Sequence, residues 1–364
     1  MINILSPLEF PKSLLRAKLE KMLECARAQE VQDLVLAQGK TLALWRLDQV
    51  CPVASGNKFF KQALYWQAAE AYPNMPVLSF GGAYSNHLYA LAAEARRRER
   101  RLIAVVRGLH EGELNPCLSD IANMGSDIHF VSRQDYRRKE EAAYLQTLAQ
   151  QWGPFVHVPE GGGGLMGAFG AQAIGLAAAE SPVDTIVLAV GTGSTAAGVL
   201  AGLDLACRRL IRMGGEPLLK RVLLVPVLNL ECRPGQKSVF EDIQALRLQM
   251  ASINTELWEL DAEIETDKWI TWECCDGFQF GGYGKFPLSL TQFLSSFEER
   301  FSVRLDPVYT AKAMAFACQL LAGGEFPELD EDLIPNPIPS SYESEQVLFI
   351  HSGGLQGRRG FGLL

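Results

Sequence analysis

Apolar and polar positions fall into two alternating registers along this chain. Residues 12–37 open with Leu14, Leu15, Leu19, Met22, Leu23 and Ala26 on a 3.6-residue period, which predicts an amphipathic helix. Beyond it, short apolar runs at 41–47, 76–80, 101–106, 127–131, 155–158, 185–190, 221–227 and 346–351 are closed by polar or glycine residues and predict buried strands. Between them, 59–71, 85–98, 137–151, 165–180 and 194–212 repeat with helical period. Strand and helix in alternation predict parallel sheets covered by helices on both faces, an α/β fold of three αβα layers.

Two stretches break the rhythm. Residues 228–282 mix a predicted helix near 236–250 with an apolar stretch at 256–260, and read as an insertion or an oligomer contact. Pro327 to Ser341 is proline-rich and acidic, which predicts a surface loop ahead of the last strand.

Length turns the fold class into an architecture. A chain of 364 residues exceeds what one core holds, about 250–300 residues, so two unequal lobes with a cleft between them are expected. The boundaries expected are a discontinuous large domain at 1–70 and 175–364 and a small domain at 71–174.

Charge removes some partners. A net charge of -8 repels nucleic acid and anionic lipid, and the basic run Arg96 to Arg101 lacks interleaved aromatic residues, so it reads as a solvated helix end. No run approaches the ~20 apolar residues of a membrane span. The amino terminus reaches Glu9, Lys12 and Arg16 without a targeting pattern, so a cytoplasmic protein is expected. Eight cysteines, including the adjacent Cys274 and Cys275, and five scattered histidines form neither a disulfide framework nor a ligand set, and no metal site is expected.

The candidate chemistry lies in the turns. SGNKFFK places Lys58 at the start of a helix, where positive dipole and loss of solvent both push an amine toward its neutral, nucleophilic form. A solvated lysine at a helix start would give the same pattern. GGAYSNH brings Ser85, Asn86 and His87 to a helix start behind paired glycines, and either a ligand or an ordinary N-cap accounts for it. AVGTGST follows a strand and opens a helix. Its residues Gly191, Thr192, Gly193, Ser194 and Thr195 offer amides and hydroxyls to a phosphate monoester. The same turn satisfies GxGxxA, so a dinucleotide remains an alternative, although the expected acid after the next strand is found only at Glu231. PEGGGG at 159–164 suits a hinge or a close ligand approach. GGYGKFP, DPVYTAKAM and IHSGG carry Tyr283, Tyr309, Thr310 and Ser352 to loops or helix starts.

Taken in order, SGNK, GGAYSNH, PEGG, VGTGST, YGxxP, DPVYTxKAM and HSGG resemble the 1-aminocyclopropane-1-carboxylate deaminase and D-cysteine desulfhydrase family, from about Thr41 to the carboxyl terminus. The resemblance implies a pyridoxal 5'-phosphate (PLP) enzyme of fold type II, like the tryptophan synthase β chain, acting on a small amino acid and forming a homodimer. It implies Lys58 as the Schiff-base lysine and Asn86 as the partner of the cofactor's phenolate oxygen. Ser85, with His87, would stand by the substrate, residues 191–195 would cradle the phosphate, and Thr310 would meet the pyridine nitrogen. Tyr283 and Tyr309 match family tyrosines facing substrate and ring.

Thr310 stands where the cyclopropane deaminases carry glutamate, so elimination of a β-substituent from a D-cysteine-like substrate is expected ahead of ring opening. Gly163 and Gly164 replace the polar residues usual after PEGG, which leaves the substrate open. Ring opening of 1-aminocyclopropane-1-carboxylate, an NAD(P)-dependent oxidoreductase and a non-catalytic ligand-binding protein of the same fold are the alternatives.

Overall fold

The structure is a computed structural model, and it describes residues 2–3, 6–36, 39–108, 113–227, 238–261, 263–321, 326 and 346–363. In chain order the strands are β1 (Ile2–Asn3), β2 (Val31–Val35), β3 (Thr41–Trp45), β4 (Val77–Gly81), β5 (Leu102–Arg107), β6 (Asp127–Val131), β7 (Val156–Val158), β8 (Thr185–Val190), β9 (Lys220–Pro226), β10 (Ile270–Cys274) and β11 (Gln346–Ile350). The helices are α1 (Lys12–Arg27), α2 (Asn57–Glu70), α3 (Asn86–Arg97), α4 (Pro116–Asn123), α5 (Arg133–Arg137), α6 (Ala142–Trp152), α7 (Gly164–Ala178), α8 (Ser194–Arg212), α9 (Val239–Trp258), α10 (Leu288–Phe301) and α11 (Thr310–Leu321).

Two sheets organise them. The smaller has the order β1-β7-β4-β5-β6 and the larger β10-β9-β8-β11-β3-β2. Every pairing is parallel except β2 with β3. The α/β class and the mostly parallel sheets expected from the alternation are therefore present. All eight expected strands form, and α8 has the expected bounds of 194–212. A parallel strand buried on both faces is a continuous apolar run, which is why LIAVV in β5 and TIVLAV in β8 were legible.

The structure departs from expectation in four places. The amphipathic helix stops at Arg27 instead of reaching 37, and Val31–Val35 forms an edge strand. There the β-branched residues follow strand propensity, and pairing with β3 supplies the missing backbone partners. Segment 228–282 is no insertion in its described part: Ser238 and Glu241 form a capping box that starts α9, and Ile270–Cys274 extends the large sheet beside β9. Strand β1, within the span expected for the large domain, pairs with β7 of the small sheet. Helices α10 and α11 were not anticipated; the apolar residues of α11 run on nearly all faces and give no helical period, whereas α10 buries one face through Leu290, Phe293, Leu294 and Phe297, a period left unread. The proline-rich loop 327–341, His110 and Glu231 lie outside the described residues.

Helix α7 is buried along almost its whole length and has almost no polar side. It packs against α1, α2 and α8, and so lies between the turn bearing Lys58 and the turn at 191–195. Among the described residues no helix is long and apolar enough to cross a membrane.

Candidate active site

The carboxyl ends of parallel strands open onto a cleft, the usual ligand position in such sheets. Here it is a cavity of about 270 Å³ whose wall includes Lys58, Ser85, Asn86, His87, Gly191, Thr192, Gly193, Thr195, Tyr283 and Tyr309. Motifs separated by more than 250 residues in the chain thus face one volume.

Lys58 sits in the first turn of α2. Gly56 precedes it with φ of 65°, and a Cβ there would stand 1.9 Å from the carbonyl oxygen of Ser352, so only glycine fits. Asn57 N–H donates to that same carbonyl at 3.1 Å. Ser55 Oγ donates to the Asp48 carbonyl at 3.0 Å, and Asp48 holds Arg46 through two bonds of 2.9 and 2.8 Å. The turn is therefore clamped between the end of β3 and the loop after β11. Burial lowers the Lys58 amine to about 8, opposed by the attraction of Asp306. Its Nζ donates to Asn57 Oδ1 at 2.9 Å, and Asn57 Nδ2 donates to Thr195 Oγ1 at 2.9 Å, so Asn57 links the lysine to the glycine turn.

Asn86 is held at both ends. Gln356 Nε2 donates to its Oδ1 at 2.7 Å, and its Nδ2 donates to Asp306 Oδ2 at 3.5 Å. Asp306 is fully buried, accepts the amides of Val308 and Tyr309, and is pushed up to about 6, chiefly by burial. Ser85 caps α3 by accepting the Leu88 N–H at 3.2 Å and also lines the cavity. The expected N-cap is therefore present, and it leaves the serine in the cavity wall. His87 lines the wall too, but its Nε2 is bonded to Ser79 Oγ at 2.8 Å while Nδ1 is buried without a partner. Burial and the two neighbouring lysines lower its pKa well below the usual imidazole value.

The turn 191–195 admits no added side chain. A Cβ on Gly191 would stand 2.9 Å from the Tyr309 ring, and one on Gly193, at φ of 80°, 2.9 Å from Ile243. The Tyr309 and Tyr283 rings meet edge-on at 6.4 Å. Burial pushes the Tyr283 phenol up to about 12. Lys312 Nζ donates to the carbonyls of Gln279 and Gly282, both at 2.7 Å, and so fixes the turn that carries Tyr283.

Two expected site residues do not line the cavity. Ser194 is buried in the first turn of α8. Thr310 is fully buried, and its hydroxyl accepts the Asp306 N–H at 2.7 Å, so it braces the turn that presents Tyr309. Lys61, Arg107, Glu160, Asn57 and Gln356 line the wall without having been singled out. Lys61 had a signal: it lies three residues after Lys58, on the same helical face. Arg107 and Gln356 had none, because only sheet register and the final loop bring them there.

Bound PLP would bring an aldehyde and a dianionic phosphate, and the residues present fit both. Lys61 is buried, makes no ion pair among the described residues, and is held well below its usual pKa by burial and by Lys58. A half-buried Lys58 and a buried Lys61, lining one cavity with a glycine turn at a helix amino terminus, suit an anion.

No family model matches the chain. A Pyrococcus horikoshii protein provisionally named 1-aminocyclopropane-1-carboxylate deaminase is 27% identical over 297 residues, 79% of this chain and 76% of its own length. The D-cysteine desulfhydrase of Klebsiella pneumoniae is 26% identical over 329 residues, 84% and 85% of the two chains. The chain is a relative of these enzymes. A crystallised homologue of 1-aminocyclopropane-1-carboxylate deaminase superposes with a TM-score of 0.65 at 22% identity, over 95% of this chain and 99% of its own. Escherichia coli diaminopropionate ammonia lyase, solved with an aminoacrylate-PLP azomethine, superposes with a TM-score of 0.57 at 12% identity, over 98% and 92%. The recognition, the fold type and the expectations of an enzyme and of PLP are borne out by these relatives.

Proposed function

We propose that this chain is a PLP-dependent lyase that removes a β-substituent from a small amino acid such as D-cysteine, releasing pyruvate, ammonia and hydrogen sulfide. The observation that carries the reading is the convergence of Lys58, Asn86 and the 191–195 turn on one cavity with two amines of lowered pKa.

In this reading the amides of residues 191–195, with Lys61, hold the phosphate, Asn86 addresses the phenolate oxygen, and Lys58 forms the covalent link. When bound, the cofactor supplies an electron sink for the charge that develops at the substrate's Cα. Lys58, lowered to about 8, takes and returns a proton near neutral pH. Ser85 and the first amides of α3 bind the substrate carboxylate. Tyr283, pushed up to about 12, stays protonated and can donate a hydrogen bond to the leaving group. Tyr309 packs against the glycine turn and holds Tyr283 in place.

Elimination is favoured over ring opening because this chain supplies no carboxylate at position 310, where the Thr310 hydroxyl accepts the Asp306 N–H. Ring opening is favoured by the provisional name of the Pyrococcus relative. A cytoplasmic homodimer, and the division into 1–70 with 175–364 and 71–174, complete the reading. Light scattering of purified protein checks the first.

The decisive experiment is a spectrum of the protein with PLP, followed by keto-acid release from D- and L-cysteine and from 1-aminocyclopropane-1-carboxylate. A lysine-linked absorption band that vanishes in Lys58→Ala is expected, with release from cysteine. A band without turnover of any amino acid would favour a binding protein, and a melting shift with NAD(P) but not PLP an oxidoreductase.

A further inference from the structure

The cavity has more cations than the cofactor reading uses. Lys58 and Lys61 line it together with the 191–195 turn, to which Asn57 links Lys58. Arg107 ends β5, at the mouth of the small sheet, and lines the same cavity. A Cβ on Gly82 would stand 3.4 Å from the Tyr283 hydroxyl and 3.9 Å from Arg107 Nη2, so the guanidinium reaches the glycine turn on the substrate side.

Its setting is built. The guanidinium carbon lies 5.7 Å from the centre of the Tyr136 ring and 5.9 Å from that of Tyr283, held between two aromatic faces. Tyr136 is buried and its hydroxyl donates to Glu160 Oε1 at 2.6 Å. Glu160 also lines the cavity and would be the natural partner for the arginine. Its other oxygen, however, pairs with Lys139 Nζ at 3.4 Å, so both oxygens of the carboxylate already have partners other than Arg107. Arg107 is left with no hydrogen bond or ion pair among the described residues, although guanidinium groups otherwise seek planar anions.

Arg107 is exposed, yet its guanidinium is turned over Tyr136 and Tyr283 into the cavity wall, where it adds a positive charge beside the tyrosine that would meet the leaving group. Resting on the reading of this cavity as a PLP lyase site, we infer that Arg107 selects amino acids whose β-substituent is a negatively charged leaving group, such as a sulfonate or a phosphate ester. The lysines and the 191–195 turn then serve the cofactor, and Arg107 serves the leaving group.

The test compares cysteate and O-phosphoserine with β-chloroalanine and serine, in both chiral forms, on PLP-loaded enzyme. Apparent Kd is read from the shift of the cofactor absorption band, and kcat/KM from keto-acid release. A charge-assisted contact at a part-exposed site should favour the anionic ligand by at least about tenfold. That ratio should fall toward one in Arg107→Leu and return partly in Arg107→Lys. In wild type it should shrink as salt is raised, which needs no variant to fold. Equal or better use of the neutral amino acids by wild type would overturn the inference alone. So would equal weakening of both classes in Arg107→Leu, which would assign the arginine to the α-carboxylate. Failure of wild type to form the lysine-linked band would overturn the cofactor reading and this inference with it.

Discussion

One part of the cavity wall is backbone: Gly191 and Gly193, with Gly56 between the lining residues Ser55 and Asn57, bring main chain so close to its neighbours that a Cβ would collide at 1.9 to 2.9 Å. Another part is side chain, where Tyr283, Arg107 and Glu160 reach in from strand ends and loops. The first part is made of main-chain amides, which a substitution alters only by moving the chain. The second is made of groups that can be exchanged one at a time. Such a division suits a constant ligand on the backbone wall and a variable one on the side-chain wall, and it explains why relatives with different substrates keep one fold.

The largest effect should come from the backbone wall's one reactive side chain. Lys58→Ala should lower keto-acid release by at least about a thousandfold and abolish the lysine-linked absorption band. Survival of the band would break the contrast at its centre. Next, Gly56→Ala combines a positive φ with overlap on Ser352, and should cost about 3–4 kcal/mol in urea unfolding. The matching control is Gly153→Ala, where φ is 84° but nothing lies within 4 Å. About 1 kcal/mol is expected there.

Asp306 sharpens the comparison through pH. Burial raises its carboxyl from 3.8 to about 6. Well below pH 3.8 it is protonated in folded and unfolded chains alike. As pH rises toward 6 the unfolded chain ionises first, so the stability contributed by the neutral folded form is lost. Relative to Asp306→Asn, the wild-type apoprotein should therefore lose about 2 kcal/mol between pH 4 and 6.5, read from urea midpoints at each pH. A flat difference would mean that the carboxyl is ionised throughout. The smallest catalytic effect belongs to the other wall. Tyr283→Phe should reduce kcat about tenfold to a hundredfold while the cofactor band stays in place. Loss of the band in that variant would merge the two walls into one function.

Much of this was legible from residue order. The parallel strands were readable because burial on both faces makes them apolar without interruption, and the turns at 55–61, 81–87 and 191–195 because glycine and small polar residues at helix starts have few other uses. Strand β2 was missed because Val31 and Val35 follow directly on a helical pattern, and only pairing with β3 decides their state. Thr310 was placed at the cofactor by its position beside Tyr309. The turn of α11 points the tyrosine to the cavity and gives the threonine hydroxyl to Asp306.

By itself, the sequence determined the alternating architecture, the lysine turn and the glycine turn, since each depends on backbone preferences that act over a few residues. Tertiary structure alone decided which distant groups meet: Asp306 and Gln356 on Asn86, Lys139 on Glu160, and Arg107 free beside Tyr283. Those pairings depend on sheet register and loop closure across hundreds of residues, and charge, burial and partner are properties of the assembled neighbourhood.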